Sequence, residues 1–496
     1  MLVNINSFKP VGTEDVPVTV ECETKSGIGI HLVGLADYAV KESLLRTVTA
    51  LQSQGYSIPG KKIVINLAPA DLHKNGSGYD LPIALAILEA SEQENIPEAG
   101  EFIISGELGL DGSIRRIDGW MQAAELAQKE NKKLLLPYDQ AVLAAEVFGT
   151  KGIYGAGHLR EALEIVKGRG HGIELRPDGK STEKPESAWN FLRGNEAAKR
   201  ALEIAAAGGH PMLLIGNPGS GKVSLAKALM EILPPMTAEE TLEVQRIYSA
   251  AGHDKVVRER PFRAPHYSAS LVAMLGGGPG DYVRPGEVSL AHNGVLYIDE
   301  VACAPKPLME ALRGPIEDGK VTISRLRSKV EYPTRFFPVF SSLPCPCGHY
   351  GDGDRCTCTP AQREAYLAKL SGPVFDRLTM QVWCSKPRPE AEPGEDVKAV
   401  AERVRKARER QLSRQGKLND ELSAAETEET AVSAAAQEVH ELLEKLIERM
   451  NLSARAYSRI LKIARTIADL AGRDDVTTTD IAEAASFCFL DRLNAE

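Results

Sequence analysis

Several features are scarce or missing in this chain of 496 residues, and each absence excludes a class of protein. No apolar run has the length of a membrane span, and the first ten residues lack the architecture of a signal peptide. The eight cysteines are not spaced like a secreted disulfide framework. Basic residues do not dominate, since the net charge is −9, so an overall basic surface for nucleic acid is excluded. We therefore expect a cytoplasmic protein without membrane contact, in which nucleic acid would meet local basic patches.

The length predicts about three domains. Residues 1–168 alternate strand-like and helix-like segments, which predicts a separate α/β domain, and the apolar residues 102–108 within it predict one strand. Polar residues rich in glycine and proline then predict a linker over 169–188. A second α/β unit is expected over 189–386, and a small helical domain over 387–496.

The helical domain carries four segments with helical periodicity. They cover residues 397–415, 431–449, 454–471 and 479–489. Thr478 or Thr479 is the predicted N-cap of the last helix, because a threonine oxygen accepts a hydrogen bond from an unpaired backbone N–H group.

A glycine-rich loop between a predicted strand and a predicted helix is the central motif of the chain. Residues 212–215 form an apolar run typical of a buried strand, and residues 225–230 have a helical pattern. The loop between them follows G-x-x-x-x-G-K, in which converging backbone N–H groups and the lysine bind nucleotide phosphates. The residues expected to contact nucleotide are Gly216, Asn217, Pro218, Gly219, Ser220, Gly221, Lys222, Val223 and Ser224.

One position of this motif departs from the usual pattern. Val223 stands where the motif has serine or threonine, whose hydroxyl binds Mg²⁺. Ser224 does not replace that hydroxyl, because one helical step rotates a side chain by about 100°. We therefore expect nucleotide binding here, with one magnesium ligand missing.

A second apolar strand, residues 295–298, ends in Asp299 and Glu300. In P-loop enzymes an aspartate at such a strand end holds Mg²⁺, and the adjacent glutamate polarises the attacking water. Alone, the pattern also fits a simple solvated strand end. Because a P-loop lies upstream, we favour the catalytic interpretation and predict ATP and Mg²⁺ as cofactors.

Four cysteines form two C-x-C pairs with eight residues between the pairs, at Cys345, Cys347, Cys356 and Cys358. Four thiolates so close together in a reducing compartment predict tetrahedral Zn²⁺. The alternative is four reduced surface thiols, since C-x-C is tighter than the usual C-x₂-C. The scattered cysteines are interpreted as packing residues, at Cys22, Cys303, Cys384 and Cys488.

The wider motifs resemble the YifB/ComM branch of the magnesium-chelatase-type AAA+ ATPases. The matching stretches are residues 33–35, 39–43, 66–72, 76–85, 194–210, 262–266 and 284–292. The resemblance covers nearly the whole chain, and its N-terminal part distinguishes this branch from the chelatase subunits. It implies a Lon-protease-like (ribosomal S5-like) N-terminal domain, a P-loop AAA+ core and a helical lid. It also implies that the cysteine cluster is a structural feature of the family.

The resemblance also assigns residues outside the P-loop. Arg377 resembles the arginine finger, which reaches the γ-phosphate of a neighbouring subunit, and Arg455 resembles the sensor-2 arginine of the lid. An arginine supplied in trans implies a ring, by family a hexamer. For either arginine the alternative is an ordinary surface ion pair. Leu343 stands where the family has the sensor-1 asparagine, so Leu343 and Val223 together predict slow hydrolysis.

The N-terminal domain is expected to be a non-proteolytic scaffold. Lon-type proteases use a Ser–Lys dyad, but by register the nucleophile position falls at Gly78 and the lysine position near Met121. Ser77 is one residue off and is inert without a base. A solvated basic face is favoured over DNA contact for four residues, Lys61, Lys62, Arg115 and Arg116.

As a function, the resemblance implies a ring-forming ATPase that acts on DNA, a helicase that drives branch migration during natural transformation. Contact with the nucleic-acid backbone would agree with the lack of a base-reading motif. One alternative is a chelatase-like motor that remodels a partner protein. Another is an ATP-binding, weakly hydrolysing scaffold on DNA, which Val223 and Leu343 favour.

Overall fold

The computed structural model describes eleven parts of the chain: residues 2–34, 38–70, 74, 76–173, 187–278, 283–325, 329–386, 390–391, 394–432, 437–450 and 452–488. The predicted linker over 169–188 lies largely outside the described residues. Within the described part of the chain, no helix combines the length and hydropathy that a membrane span requires.

The N-terminal unit is built on a seven-stranded mixed sheet in the order β3-β4-β2-β1-β5-β8-β9. Its strands are β1 Leu2–Val11, β2 Glu14–Lys25, β3 Gly29–Val33, β4 Lys62–Ala68, β5 Phe102–Ile104, β6 Glu107–Leu108, β7 Ile114–Arg115, β8 Lys133–Pro137 and β9 Ile153–Ala156. Its helices are α1 Tyr38–Ser53, α2 Asp80–Ala90, α3 Trp120–Lys129, α4 Tyr138–Phe148 and α5 Leu159–Val166.

Two details of this unit differ from the sequence prediction. The single strand predicted over 102–108 is wrong, because the chain forms β5 in the large sheet and β6 in a separate pair with β7. A hydrophobic run cannot reveal such a change of partner. The packing also continues past residue 168, since Ile173 is buried and its N–H group donates to the Ile153 carbonyl at 3.2 Å.

The second unit is built on a five-stranded sheet in the order β11-β14-β17-β10-β18, in which every pair is parallel. Its strands, with those of two small hairpins, are β10 Met212–Gly216, β11 Phe262–Arg263, β12 Gly276–Gly277, β13 Arg284–Pro285, β14 Val295–Ile298, β15 Lys320–Ser324, β16 Lys329–Pro333, β17 Phe337–Ser342 and β18 Met380–Cys384. Its helices are α6 Ala188–Phe191, α7 Glu196–Gly208, α8 Lys222–Ile232, α9 Ala238–Ala250, α10 Leu271–Leu275, α11 Glu287–Leu290, α12 Lys306–Asp318 and α13 Pro360–Leu367. The expected α/β fold with a parallel sheet is confirmed.

Strand β10 explains the two hydrophobic layers of this unit. Met212 and Leu214 belong to the layer under α7 and α8, whereas Leu213 and Ile215 belong to the layer on the opposite face. Successive residues of a strand point to opposite faces, and both faces of a parallel sheet are covered. An unbroken apolar run is therefore what this central strand requires.

The C-terminal helices are α14 Val397–Gln415, α15 Ala424–Ala431, α16 Gln437–Met450, α17 Ala454–Leu470 and α18 Thr478–Ala485. Val404 and Ile460 share the hydrophobic layer of α7 and α8, and Arg403 binds Glu203 at 2.6 Å. The helical domain thus packs on one face of the parallel sheet.

The last helices correct two predictions. The helix expected over 431–449 corresponds to α16, which is described from Gln437, but residue 431 belongs to the separate helix α15, which was missed. The predicted N-caps of α18 are wrong, since its N-cap is Thr477. The Asp480 carboxylate accepts a hydrogen bond from the Thr477 backbone N–H at 2.8 Å, which fixes the start of the helix one residue earlier.

Helix α9 connects the N-terminal unit to the parallel sheet. The Ser249 hydroxyl accepts a hydrogen bond from the Met121 N–H at 3.2 Å, and Arg246 binds Glu125 at 2.7 Å. Glu243 of the same helix lies 3.0 Å from His292 Nε2 and accepts a hydrogen bond from Asn293 at 2.9 Å, just before β14. One helix therefore contacts both units.

We predict that Arg246→Ala lowers stability by about 1–3 kcal/mol, because it leaves the nearly buried Glu125 carboxylate without its partner. The matched control is Arg258→Ala. Arg258 is 71% exposed and binds Glu146 of the N-terminal unit, so its loss should cost under about 1 kcal/mol. Thermal unfolding of both variants measures the difference. Equal losses would contradict the assigned weight of the buried pair.

Candidate nucleotide-binding site

The glycine-rich loop lies between the end of β10 and the first turn of α8. The backbone is left-handed at Gly219 and Gly221, with φ of +76° and +79°, a conformation that favours glycine. The first N–H groups of α8 have no partner within the helix and face the loop, together with the positive end of the helix dipole. This backbone arrangement suits an anion such as a phosphate.

Lys222, the first residue of α8, extends back across the loop. Its ammonium donates hydrogen bonds to the Gly216 carbonyl at 2.8 Å and the Asn217 carbonyl at 3.2 Å. Burial lowers the pKa of Lys222, and nearby Asp299 opposes this effect. The buried Ser220 hydroxyl has no hydrogen-bond partner among the described residues. An ammonium and a hydroxyl available within the loop fit the phosphates of a nucleotide.

Asp299 is held at the end of β14 by residues of two neighbouring strands. Its Oδ1 atom accepts hydrogen bonds from the Tyr297 hydroxyl at 3.1 Å and from the Ser341 hydroxyl on β17. Burial raises the pKa of Tyr297, so its hydroxyl stays protonated and can donate. These bonds fix one oxygen of the carboxylate.

Glu300 has a backbone φ of +49°, which is rare and strained for a residue with a side chain. Its N–H group donates to Asp299 Oδ1 at 3.0 Å. The two acidic residues are therefore part of one constrained turn. Such strain recurs where a backbone orients a functional side chain.

The two unusual positions contribute no oxygen ligand to this site. Val223 is 40% exposed on the first turn of α8, and Leu343 packs against the hydrophobic layer that contains Ile215. Ser224, one residue further along α8, is half-buried. Neither the Val223 nor the Leu343 side chain thus offers a polar atom to a metal ion or to water.

The two predicted arginines lie near each other on an exposed part of the surface. Arg377 is 54% exposed and binds Glu317 on α12 at 2.9 Å. Arg455 is 74% exposed and binds Asp376, the neighbour of Arg377, at 2.6 Å. These ion pairs join the start of α17 to the Arg377 turn.

The four clustered cysteines converge in space. Sγ–Sγ distances are 3.4 Å for Cys345–Cys347, 3.9 Å for Cys345–Cys356 and 3.7 Å for Cys347–Cys356. All four Sγ atoms, including that of Cys358, lie within 4.8 Å of one another. Tetrahedral zinc with Zn–S bonds of about 2.3 Å needs sulfur atoms about 3.8 Å apart. A hydrogen bond from the His349 N–H lowers the pKa of Cys347 to about 6, whereas the pKa of Cys356 and that of Cys358 are raised beside the neighbouring thiols. The donor set fits zinc.

The remaining cysteines follow the packing interpretation with one exception. Cys22, Cys384 and Cys488 are buried, and burial raises the pKa of Cys22 and of Cys384 to about 12. Cys303 is exposed, so the prediction is wrong there. It lies on the short turn after Glu300, where an alternating burial pattern no longer applies.

Sequence reasoning missed a residue that fastens the glycine-rich loop. The Asn195 side chain donates to the Ser385 carbonyl at 2.7 Å and to the Ser220 carbonyl at 3.4 Å, and it accepts from the Ser385 N–H at 3.1 Å. Asn195 is nearly buried. It stands in the motif over 194–210, but its partner after β18 could not be found without the fold.

In the N-terminal unit, the Ser77 hydroxyl donates to the Glu107 carboxylate and not to a lysine. A Cβ atom at Gly78 would lie 2.8 Å from the Ser105 hydroxyl, and Met121 is fully buried. Ser77 is therefore paired with a carboxylate, which is not the Ser–Lys dyad of the Lon-type proteases.

The four basic residues of this unit differ in their surroundings. Arg116 binds both Asp139 and Asp254 at 3.1 Å, so it belongs to the seam with the second unit. Arg115 is 65% exposed and lies 3.9 Å from Glu107. Lys61 is exposed and Lys62 half-buried. Because Arg116 is paired with two carboxylates, it does not form a common basic face with the other three residues.

Comparison with known proteins defines the class first. Three family models match the chain: "Magnesium chelatase, subunit ChlI" over residues 188–392, "Subunit ChlI of Mg-chelatase" over 20–140, and "Magnesium chelatase, subunit ChlI C-terminal" over 394–488. These matches assign the chain to the magnesium-chelatase-like AAA+ proteins.

Full-length relatives then define the family. The chain is 41% identical to the uncharacterized protein YifB of Escherichia coli, over 99% of this chain and 97% of that protein. It is 37% identical to the competence protein ComM of Haemophilus influenzae, over 99% and 98%. Identity to the tobacco chloroplast magnesium-chelatase subunit ChlI is 24%, over 58% and 68%. The chain belongs to the YifB/ComM family, which implies ATP and Mg²⁺ as cofactors and an ATPase as the class of activity.

We predict that the purified protein binds about one zinc ion per chain, and that Cys347→Ser loses it because a tetrahedral site needs four ligands. Metal analysis by mass spectrometry measures this, with Cys303→Ser, which changes an exposed cysteine outside the cluster, as the control. Protein that stays metal-free after refolding with zinc under reducing conditions would contradict the zinc assignment.

Proposed function

We propose that this protein is a ring-forming AAA+ ATPase that acts on DNA, a helicase that promotes branch migration in homologous recombination. The observation that carries the proposal is the common edge of the parallel sheet, where the glycine-rich loop after β10 and Asp299 after β14 flank the end of β17. Support for DNA as the partner comes from the relationship to the competence protein ComM. The alternative is a motor that remodels a partner protein, and an experiment with DNA distinguishes the two.

Each residue of the site has a role in this proposal. The loop N–H groups bind phosphate oxygens, and Lys222 exchanges its carbonyl partners for the β- and γ-phosphates. Asp299 would hold Mg²⁺ through its other carboxylate oxygen, and Glu300 would orient the attacking water. Bound MgATP supplies the phosphoryl group that is transferred to water. Tyr297 and Ser341 keep Asp299 in position.

We further propose that Arg377 is an arginine finger that acts on the nucleotide of the neighbouring subunit in a hexamer, and that Arg455 is the sensor-2 arginine of the helical lid. Both are exposed, and the Arg455–Asp376 pair holds them on one part of the surface. Binding a neighbouring γ-phosphate requires Arg377 to exchange its ion pair with Glu317 for the phosphate.

The domain organisation forms part of the proposal. Residues 1–168 are a non-proteolytic Lon-protease-like domain, 189–386 the AAA+ core with the cysteine insert, and 387–496 the helical lid. The Ser77–Glu107 bond supports the absence of proteolysis, and the packing of α14 and α17 on the parallel sheet supports a lid fixed to the core.

A second candidate function is an ATP-gated ring on DNA with little turnover. The observation that favours it is the apolar character of Val223 and Leu343. Val223 offers no hydroxyl to Mg²⁺, and Leu343 offers no amide to orient the attacking water. Both candidates require nucleotide binding, and they differ in hydrolysis.

Polar side chains at positions 223 and 343 are expected to speed ATP hydrolysis. Val223→Thr combined with Leu343→Asn should raise ATP turnover about 10²-fold, because it restores both polar groups near the transition state. Steady-state ATPase activity with DNA and Mg²⁺ measures this, and Val223→Ala with Leu343→Ala controls for mere loss of bulk. Turnover that stays unchanged in the restored variant would show that these positions do not limit hydrolysis.

Arg377 is expected to act on the nucleotide of the neighbouring subunit. Arg377→Ala should retain ATP affinity but lower ATP turnover about 10³-fold. Mixing it with Lys222→Ala subunits should restore part of the activity, because an intact Arg377 then reaches an intact P-loop. Arg313→Ala, which removes another exposed arginine partner of Glu317, is the control. A mixture no more active than its components would contradict action in trans.

The experiment for the proposed function is strand exchange on a four-way DNA junction, with ATP and with a non-hydrolysable analogue. Branch migration with ATP, but not with the analogue, supports the helicase. DNA binding that responds to the analogue, without migration, supports the ATP-gated ring. Nucleotide turnover without any response to DNA would overturn both.

A further inference from the structure

The cysteine loop, residues 345–358, lies directly against the glycine-rich loop of residues 216–222, which is called the phosphate loop below. A Cβ atom at Gly348 would lie 3.2 Å from Pro218 Cδ and 3.3 Å from Pro218 Cγ, which is closer than ordinary van der Waals contact. Leu343 Cδ1 would lie 3.4 Å from the same point. Gly348 also has a left-handed backbone with φ of +77°. The cysteine loop therefore approaches the phosphate loop closely enough to restrict its position.

Other contacts attach the cysteine loop to the same edge of the parallel sheet. Tyr350 packs edge-on against Trp383 of β18, with ring centroids 6.2 Å apart, and Lys386 binds Asp352 at 2.7 Å. Trp383 lies opposite Ile215 in the pairing of β18 with β10. The cysteine loop is thus anchored beside the strand from which the phosphate loop emerges.

The cysteines determine where Gly348 lies. Cys345 is fully buried two residues after Leu343, and its carbonyl accepts a hydrogen bond from the Gly348 N–H at 3.0 Å. Cys347 is the immediate neighbour of Gly348. A metal bound by four thiolates would fix both cysteines, and with them the backbone that contacts Pro218.

We propose that the four-cysteine loop is a wall of the nucleotide site, and that the metal it binds is required to hold the phosphate loop in its nucleotide-binding position. The inference rests on the proposed function, since it concerns the same nucleotide site. Loss of metal releases the loop around Gly348, removes the support at Pro218 and weakens nucleotide binding. The cluster is then a positioning element for ATP in addition to a local structural site.

A pair of matched substitutions tests the contact. Gly348→Ala and Gly353→Ala both place a side chain on a left-handed backbone, with φ of +77° and +59°. A Cβ atom at Gly353 would meet no atom within 4 Å, so only the change at Gly348 displaces Pro218. The measurement is the Kd of a fluorescent non-hydrolysable ATP analogue for the full-length protein, together with its zinc content.

We expect Gly348→Ala to bind the analogue about tenfold more weakly than Gly353→Ala, with equal zinc content in both. Equal affinities would overturn the proposed wall. If Gly348→Ala does not fold, the same question is answered with the wild-type chain, from which zinc is removed by a chelator and to which Zn²⁺ is then returned.

In that arm, nucleotide affinity should fall about tenfold on zinc removal and recover when Zn²⁺ is added, while circular dichroism shows that the helices persist. Unchanged affinity of the zinc-free protein would overturn the inference. Failure of the zinc-loaded wild-type protein to bind nucleotide is a different result, because it contradicts the proposed function itself.

Discussion

The parallel pairing of β10 with β17 on one side and β18 on the other is the constraint on which the site depends. Because parallel strands end at the same edge, this pairing brings together segments that are far apart in the sequence. The phosphate loop follows β10, the cysteine loop follows β17, and Ser385 follows β18. The next strand, β14, adds Asp299 at the same edge. No one of these segments makes the candidate nucleotide site without the sheet.

Much of this arrangement could be predicted from the sequence. The apolar run 212–215 and the helical pattern after Lys222 carry their own periodicity, and β10 and α8 lie where these patterns indicate. The boundaries of α14 agree with the predicted 397–415 because charged residues and a following glycine mark its end. The family resemblance rested on motifs along the whole chain, and the comparisons confirm it.

The parts that could not be predicted depend on contacts between distant segments. Ser341 binds Asp299 because β17 lies beside β14 with one particular register. A hydrophobic run in the sequence does not indicate which register two strands adopt. Asn195 fastens the phosphate loop through Ser385, which is 190 residues away in the chain. The exposure of Cys303 reflects a turn whose course is set by tertiary packing. Local patterns predict elements, whereas these contacts require the assembled sheet.

Helix α9 has a mechanical consequence for the molecule. One part of it is bonded to the N-terminal unit through Arg246 and Ser249, and Glu243 on the same helix is bonded to the turn that begins β14. Glu243 and Arg246 are three residues apart, so they lie on the same face of the 13-residue helix. Neighbouring positions of α9 therefore contact the N-terminal unit and the residues that precede β14, so a shift of this helix would change the contacts of both.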